Sequence, residues 1–232
     1  MLAMLKAVGI AKVHESGLIF KRKLMVLQDI SLELHEGRTV GLMGVSGSGK
    51  TTLGKILAGL ERPTAGRVLY GGRNIQSLHK AEFAQFRRQV PMVFQDPEGS
   101  LNPRKSIEES IHDVLALLQI PKREWRDRSL DILETVGLSD ELLCRYPGQI
   151  SGGQNQRAAI GRVLLLYPRF IILDEPTSAL DLSVQAQVLS LLKDLQRDRG
   201  LGYLLISHQA EVVKHMAHEV FKLEEGRLKP MS

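Results

Sequence analysis

The sequence predicts an α/β fold with a mostly parallel sheet, and three observations lead to this class. Short apolar runs of buried-strand length recur at 39–43, 170–173 and 203–206, and a further strand is predicted at 219–223. Stretches with the apolar period of a helix lie between them. A glycine-rich loop joins the first run to a helix. Because parallel strands need crossover connections that are usually helical, this alternation indicates a sheet covered on both faces.

The first elements follow from the apolar pattern. Apolar and polar residues alternate over 26–34, as in a half-buried strand, and this strand ends at the turn of Glu36 and Gly37. A helix is predicted to begin at Lys50. Its buried face consists of residues spaced i, i+3, i+4 and i+7, namely Leu53, Ile56, Leu57 and Leu60.

The middle of the chain is predicted to be a helical insert. Apolar stripes run through 106–137 with a break at Pro121, and a helix over 154–167 stops before Pro168. The length of 232 residues fits one domain with an inserted subdomain. We expect a core formed by 1–95 and 156–232, and a helical subdomain at about 96–155.

Composition excludes several classes of protein. Hydrophobic residues make up 43% and charged residues 25%, which is typical of a globular domain rather than a disordered chain or a coiled coil. No apolar run approaches the roughly 18 residues of a membrane-spanning helix, and the N-terminus lacks the pattern of a secretory leader. The single cysteine, Cys144, excludes an internal disulfide framework. A cytoplasmic location is therefore expected.

The net charge of +5 admits an anionic partner without identifying one. The basic residues are scattered and only 5% of residues are aromatic, so few side chains are available to stack on bases. We expect no nucleic acid partner.

A phosphate-binding loop lies between the strand at 39–43 and the helix that follows. Glycines let backbone N–H groups converge on the phosphates of a nucleoside triphosphate, the helix N-terminus adds positive potential, and a lysine adds a point charge. A threonine hydroxyl is a ligand for Mg²⁺. The residues of this predicted site are Gly44, Val45, Ser46, Gly47, Ser48, Gly49, Lys50, Thr51 and Thr52.

Polar residues follow three other predicted strands. Asp174 and Glu175 end the run 170–173, where a carboxylate can support Mg²⁺ and a second one can polarise the attacking water. Gln95 ends the run 90–94 and His208 follows 203–207. Because ligands of open α/β sheets bind at the carboxyl ends of strands, all four side chains are predicted to surround one phosphate.

The segment Ile150-Ser151-Gly152-Gly153-Gln154 resembles the signature sequence of the ATP-binding cassette (ABC) ATPases. The phosphate loop, Gln95, Asp174 with Glu175, the loop 178–181 and His208 stand in the order of that family. The resemblance implies a P-loop NTPase core of the RecA-like type, with a mostly parallel sheet, an antiparallel β region and an inserted helical subdomain.

The resemblance also implies roles for individual residues. ATP binds between two cassettes, so that Ser151, Gly152, Gly153, Gln154 and Asp181 contact the ATP held by the other subunit. Within one cassette, Glu175, His208 and Gln95 are expected to act in catalysis, and Thr51 and Gln95 are expected to bind Mg²⁺. Phe20 is the candidate for stacking on adenine. The second subunit is an identical chain or a paralogue.

Residues 95–104 are similar to a loop of the ATPase subunits of dipeptide, oligopeptide and nickel importers. The expected function is ATP hydrolysis coupled to import of a peptide, nickel or a metal chelate. Such a subunit works on the cytoplasmic face of the membrane with two integral membrane permeases and an extracytoplasmic solute-binding protein.

Three alternatives stay open at this point. An ABC ATPase of an exporter carries the same motifs. An ABC ATPase of repair or chromosome organisation acts on nucleic acid, although such proteins usually carry coiled coils or zinc modules. A P-loop kinase or switch GTPase shares the phosphate loop but gives residues 151–154 no role.

Overall fold

The structure is a computed structural model, and it describes residues 4–16, 22–96 and 100–231. Within these ranges, the strands of the larger sheet are β3 (Thr39–Met43), β6 (Met92–Val93), β7 (Phe170–Asp174), β8 (Gly202–Ile206), β9 (Glu219–Glu224) and β10 (Arg227–Met231). They lie in the order β10-β9-β3-β8-β7-β6. Strands β3, β7, β8 and β9 pair in parallel, and β10 adds an antiparallel edge.

A second sheet is antiparallel and consists of β1 (Met4–Ser16), β2 (Arg22–His35), β4 (Ala65–Tyr70) and β5 (Arg73–Asn74). These strands lie in the order β2-β1-β4-β5. The register between β1 and β2 shifts between Ala7 and Ile10, at a β-bulge that also contains Gly9 with a φ of 59°. Bulges bend a strand and increase its twist, which explains why β1 lacks a regular alternating pattern in the sequence.

Helices connect the parallel strands, as the alternation of patterns predicted. They are α1 (Lys50–Leu57), α2 (Lys80–Gln89), α3 (Ile107–Leu117), α4 (Trp125–Thr135), α5 (Gly152–Leu164), α6 (Leu182–Arg199) and α7 (Ala210–Met216). Single turns of 3₁₀-helix, such as Pro147–Gln149, occur between several of them. None of the helices in the described ranges is long and apolar enough to cross a bilayer.

The chain forms two compact units. The first consists of Met1–Met92, Arg169–Glu175 and Leu195–Ser232, and the second of Val93–Pro168 and Pro176–Asp194. The division at 95/96 and 155/156 drawn from the sequence stays a prediction. The first unit contains a continuous hydrophobic core contributed by both sheets, α1 and α2, in which Leu42, Ile56, Phe170 and Ile206 are among the fully or almost fully buried side chains.

Three elements differ from the sequence predictions. Helix α1 ends at Leu57, so Leu60, which was predicted on its buried face, lies outside the helix and is 40% exposed. The strand predicted at 90–94 is reduced to Met92 and Val93, because Pro91 has no N–H to donate to a strand ladder. Its carbonyl still accepts a bond from Ile172 N at 3.0 Å. The helix predicted at 154–167 begins two residues earlier, at Gly152, because Ser151 caps it, and it ends at Leu164.

Candidate functional site

The phosphate loop connects β3 to α1 and is fixed from within by its own lysine. The Lys50 ammonium is buried and donates hydrogen bonds to the carbonyls of Gly44 at 2.8 Å and Val45 at 2.9 Å. An ammonium has three N–H donors, so these two bonds leave capacity for an anionic oxygen. Gly49, at the N-cap of α1, has a φ of 102°, a conformation that side chains with a Cβ rarely adopt.

The loop fits a phosphate group on two observations. The Ser48 hydroxyl is buried and has no hydrogen-bond partner among the described residues. At Gly44, an added Cβ would lie 2.5 Å from the Leu223 carbonyl oxygen and 2.8 Å from Ser48 Oγ, so only glycine leaves this cradle open. A buried polar atom without a partner is costly, and a phosphate oxygen would satisfy it.

Thr51 and Asp174 lie side by side at the carboxyl end of β7. The Thr51 hydroxyl donates to Asp174 Oδ1 at 3.2 Å, and Asp174 is only 5% exposed. Burial raises the pKa of Asp174, and the bond from Thr51 opposes this shift. Two oxygen ligands at the edge of a phosphate loop are the donor set that Mg²⁺ prefers.

Asparagine at position 174 is expected to stabilise the nucleotide-free protein at pH 7, because it removes a carboxylate whose folded-state pKa is raised. Below the ordinary aspartate pKa, Asp174 is neutral in both the folded and unfolded chain, so the gain should disappear there. Denaturant unfolding of Asp174→Asn and wild type at pH 7 and pH 3 measures this. ATP hydrolysis by the variant should also no longer respond to Mg²⁺. A free energy of unfolding at pH 7 equal to or lower than that of wild type would contradict the role given to burial of Asp174.

Glu175 and His208 meet directly. His208 Nδ1 lies 2.9 Å from both carboxylate oxygens of Glu175, whose side chain is 12% exposed, whereas His208 is 58% exposed. The backbone N–H of Glu175 donates to Ile206 O at 2.9 Å, and its φ is 50°. A non-glycine residue in this conformation costs about 1–2 kcal/mol. The strand ends therefore hold the Glu175 carboxylate in a fixed place against the imidazole.

The first unit thus brings together the predicted groups from four places in the chain. These are the loop 44–49, the start of α1, the end of β7 and the end of β8. Lys50 bonds to the loop, and the next residue, Thr51, bonds to Asp174. Glu175 follows Asp174 and contacts His208. Their roles toward a nucleotide stay predictions that the geometry supports.

An open hollow of about 400 Å³ lies beside the phosphate loop, on the side of β2 and the β9–β10 turn. Leu24 and Met25 expose 65% and 51% of their surface at its wall. The motifs in the sequence did not indicate these two residues, although large apolar side chains on a strand edge next to basic residues were a usable signal. The lining residues are Leu24, Met25, Val26, Gln28, Val45, Ser46, Gly47, Ser48, Glu225 and Gly226. Phe20, the predicted adenine-stacking residue, lies outside the described residues.

In the second unit, Ser151 and Gln154 form a capping box at the N-terminus of α5. Ser151 Oγ accepts from Gln154 N at 3.2 Å, and Gln154 Oε1 accepts from Ser151 N at 2.9 Å. The amides of Gly152 and Gly153, in the first helical turn, have no intrahelical acceptor by helix geometry. The Ser151 and Gln154 side chains thus cap the helix, and the N–H groups of the two glycines lie at its positive end.

The two signature glycines are not equivalent, and this predicts different outcomes for alanine. A Cβ at Gly153 would lie 2.1 Å from Val184 Cγ1, whereas a Cβ at Gly152 meets Leu180 Cδ2 at 3.3 Å. Gly153→Ala should therefore lower the free energy of unfolding by about 1–3 kcal/mol through overpacking. Gly152→Ala serves as the matched control and should change it by less than half as much. Equal destabilisation in denaturant unfolding would contradict this packing.

The two remaining predicted residues also lie in the second unit. Asp181 precedes α6, where its Oδ1 accepts from Val184 N at 3.0 Å and Ser183 Oγ at 2.7 Å. These bonds, that from Val184 N most of all, lower the pKa of Asp181. They also give Asp181 a capping role that the sequence motifs did not predict. Gln95 follows β6 and is exposed. The contacts of both with ATP stay predictions.

The sequence is similar to known transport proteins along most of its length. The profile of the ABC transporter family matches residues 27–178. The dipeptide transport ATP-binding protein DppF of Haemophilus influenzae is 42% identical over 97% of this chain and 70% of its own length. DppF of Escherichia coli is 44% identical over 89% and 62%. The oligopeptide transport ATP-binding protein OppF of Lactococcus lactis subsp. lactis is 42% identical over 88% and 65%. The chain spans 62–70% of the length of these curated relatives.

Solved structures of ABC cassettes share the fold. The ATP-binding cassette MJ0796, in a dimeric post-hydrolysis state bound to ADP and Pi, aligns with a TM-score of 0.85 and 29% identity over 98% of both chains. Clostridium perfringens cbiO1, part of the ABC transporter complex cbiONQ, gives 0.81 and 26% identity over 97% of this chain and 86% of its own. The predicted fold class and the resemblance carried by the signature are confirmed. The chain belongs to the ABC transporter family, and it shares the fold of solved ATP-binding cassettes.

Proposed function

We propose that this cassette powers the import of peptides, as one of two ATPase subunits attached to membrane permeases. The observation that carries the ATPase part is the contact of His208 Nδ1 with both oxygens of Glu175 at 2.9 Å, at the same sheet edge as Lys50 and Asp174. The peptide part rests on the relatives, which are named as dipeptide and oligopeptide transport ATP-binding proteins.

The triphosphate binds in the loop 44–49. The Lys50 ammonium neutralises oxygen charge on the phosphates, and the Ser48 hydroxyl acquires the partner that it lacks within the described chain. The hollow lined by Leu24 and Met25 receives the nucleoside, whose apolar faces pack against these two exposed side chains. An aliphatic wall provides apolar contact in addition to any aromatic stacking.

Mg²⁺ accompanies the nucleotide in this proposal. Thr51 and Asp174 would hold it, because their oxygens already lie 3.2 Å apart, and Gln95 remains a predicted further ligand. The ion would neutralise charge on the phosphate oxygens as it does in other P-loop enzymes.

Hydrolysis requires a water molecule aligned with the terminal phosphate. Glu175 accepts a hydrogen bond from that water and takes its proton as the new P–O bond forms and the bond to ADP breaks. His208 keeps the carboxylate oriented, since it contacts both oxygens. The products are ADP and inorganic phosphate. Orientation by a fixed base contributes typically a hundred- to ten-thousandfold to such reactions.

The other half of the site comes from a second cassette. The α5 N-terminus of that subunit, with the amides of Gly152 and Gly153, faces the terminal phosphate. Asp181, which lies directly before α6, belongs to the same half of the site. A phosphate at a helix N-terminus is favoured by both the dipole and the free N–H groups. Two cassettes therefore close on ATP and separate after hydrolysis.

Transport also requires partners that cross the membrane. We infer two permease subunits, an extracytoplasmic solute-binding protein and a place for this chain at the cytoplasmic face of the membrane. Co-expression of this chain with peptide permeases, co-purification and reconstitution in vesicles test the proposal. ATP-dependent uptake of a labelled dipeptide or oligopeptide, absent with Lys50→Ala, is the expected result. Uptake of Ni²⁺ alone would overturn the peptide assignment, and export of peptide would overturn the direction.

A further inference from the structure

The hollow beside the phosphate loop has an acidic side chain at its wall. Among the described residues that line it, Glu225 has the only carboxylate, and the other lining side chains are uncharged. Within the described ranges, the Glu225 carboxylate forms no ion pair. The preceding residue, Glu224, pairs instead with Lys222 at 2.9 Å and with Lys229 at 2.8 Å. Glu225 therefore offers the hollow two acceptor oxygens and a negative charge.

The turn between β9 and β10 holds Glu225 in this place. The φ angles of Glu225 and Gly226 are 50° and 74°. Two positive values are typical of a tight hairpin turn, whose first position favours asparagine, aspartate or glycine. Gln28 on β2 fixes the turn, because its N–H donates to the Gly226 carbonyl at 2.7 Å and its Nε2 donates to the Glu225 carbonyl at 3.3 Å. A glutamate in a conformation that is unfavourable to it indicates a role other than stability.

The nucleoside of ATP has two kinds of donor for this carboxylate. The ribose carries two neighbouring hydroxyls, and the adenine ring carries one amino group. A carboxylate has two acceptor oxygens, so two neighbouring hydroxyls can occupy both of them with short, charge-assisted hydrogen bonds. In dinucleotide-binding folds, an acidic residue accepts a hydrogen bond from a ribose hydroxyl in the same way. The chemistry of the donors therefore favours the ribose.

The order of the groups in a nucleotide also favours the ribose. Residues 46–48 of the phosphate loop and Glu225 line the same hollow of about 400 Å³. In the proposed function, the phosphates occupy the loop and the base packs against Leu24 and Met25. The ribose joins the phosphates to the base, so it has to cross the hollow that Glu225 lines.

We propose that Glu225 makes the nucleotide site specific for ribonucleotides by accepting hydrogen bonds from the 2′ and 3′ hydroxyls of the ribose. This inference rests on the proposed function, in which ATP is the substrate. Because the carboxylate is an anion close to the triphosphate, it repels a phosphate chain that brings no hydroxyls. Glu225 thus favours a ribonucleoside triphosphate over a deoxynucleotide or a free polyphosphate, and it does not distinguish between bases.

Isothermal titration in the presence of Mg²⁺ tests this with ATP, 2′-deoxyATP, 3′-deoxyATP and tripolyphosphate. We expect each deoxynucleotide to bind to wild type about tenfold more weakly than ATP, the effect of one hydrogen bond to a charged group. Glutamine has the size of glutamate but no charge. In Glu225→Gln, ATP should therefore bind about tenfold more weakly, nearly as weakly as the deoxynucleotides, whereas tripolyphosphate should bind at least as tightly as to wild type.

Two further variants and a second nucleotide serve as controls. Glu224→Gln makes the same change at a residue that pairs with two lysines and does not line the hollow, so it should keep the wild-type preference for ATP. Glu225→Asn suits the positive φ but has a shorter side chain. It should lose the preference without a loss of folding. GTP has the same ribose and a different base, and its affinity for Glu225→Gln should fall by the same factor as that of ATP.

Three results would overturn the inference. The first is equal binding of ATP and both deoxynucleotides to wild type. The second is a loss of affinity in Glu225→Gln for ATP but not for GTP, since it would assign the carboxylate to the base. The third is an equal loss for tripolyphosphate, since it would place the effect in the phosphate loop. Absence of ATP binding to wild type would instead overturn the proposed function itself.

Discussion

Glutamine in place of Glu175 should lower ATP turnover at least about a hundredfold while the affinity for ATP stays within a few fold of wild type. The amide keeps the size of the side chain but cannot accept the proton of the attacking water. The bonds of Lys50 within the phosphate loop and the pair formed by Thr51 and Asp174 are untouched. The variant therefore separates binding from chemistry.

Phosphate release and the binding of a fluorescent ATP analogue measure the two effects. Glu211→Gln is the control, because it makes the same change on an exposed residue at the start of α7, close in sequence to His208. It should hydrolyse ATP at the wild-type rate. If Glu175→Gln kept more than half of the wild-type turnover, Glu175 would not be the base, and the role given to the His208 contact would also be wrong.

Arginine in place of Ser151 should lower turnover by a hundredfold or more, and for a different reason. The long cationic side chain occupies the position in front of the Gly152 and Gly153 amides and removes the capping box of α5. ATP should still bind to the phosphate loop of the same chain, since Ser151 belongs to the site of the other subunit in the proposed arrangement.

A second capping box provides the matched control for this variant. Ser106 Oγ accepts from Glu109 N at 3.1 Å and Glu109 Oε2 accepts from Ser106 N at 2.7 Å, at the N-terminus of α3. Ser106→Ala should cost about 1 kcal/mol of stability without a change in turnover. Loss of ATP binding in Ser151→Arg, measured by titration, would contradict the assignment of Ser151 to the opposite site.

The parts of the site that the sequence predicted are those that depend on local pattern. The phosphate loop needs only glycines, a lysine and a threonine between a buried strand and a helix. Consecutive residues therefore suffice to predict it. Asp174 and Glu175 were predicted for a similar reason, because they directly follow an apolar run of strand length. The parallel pairing of β7 with β8 then brings Glu175 to His208.

The parts that the sequence did not predict depend on distant contacts. Nothing near Gly153 in the sequence indicates that Val184 lies against it, and nothing near Arg162 indicates the bond to Ser100. The hollow beside the loop needs β2 and the β9–β10 turn, which are about 200 residues apart in the chain, as the 3.3 Å bond from Gln28 Nε2 to Glu225 O illustrates. Such contacts are set by tertiary packing, which no local period encodes.

The central claim is that ATP is enclosed by two cassettes, and the mass of Glu175→Gln in solution tests it most directly. With ATP and Mg²⁺, light scattering coupled to size exclusion should give twice the 25.8 kDa of one chain, and with ADP the mass of a single chain. Adding Ser151→Arg should abolish the ATP-dependent doubling without weakening ATP binding. A single-chain mass with ATP, or a doubling that is indifferent to Ser151→Arg, would contradict the account.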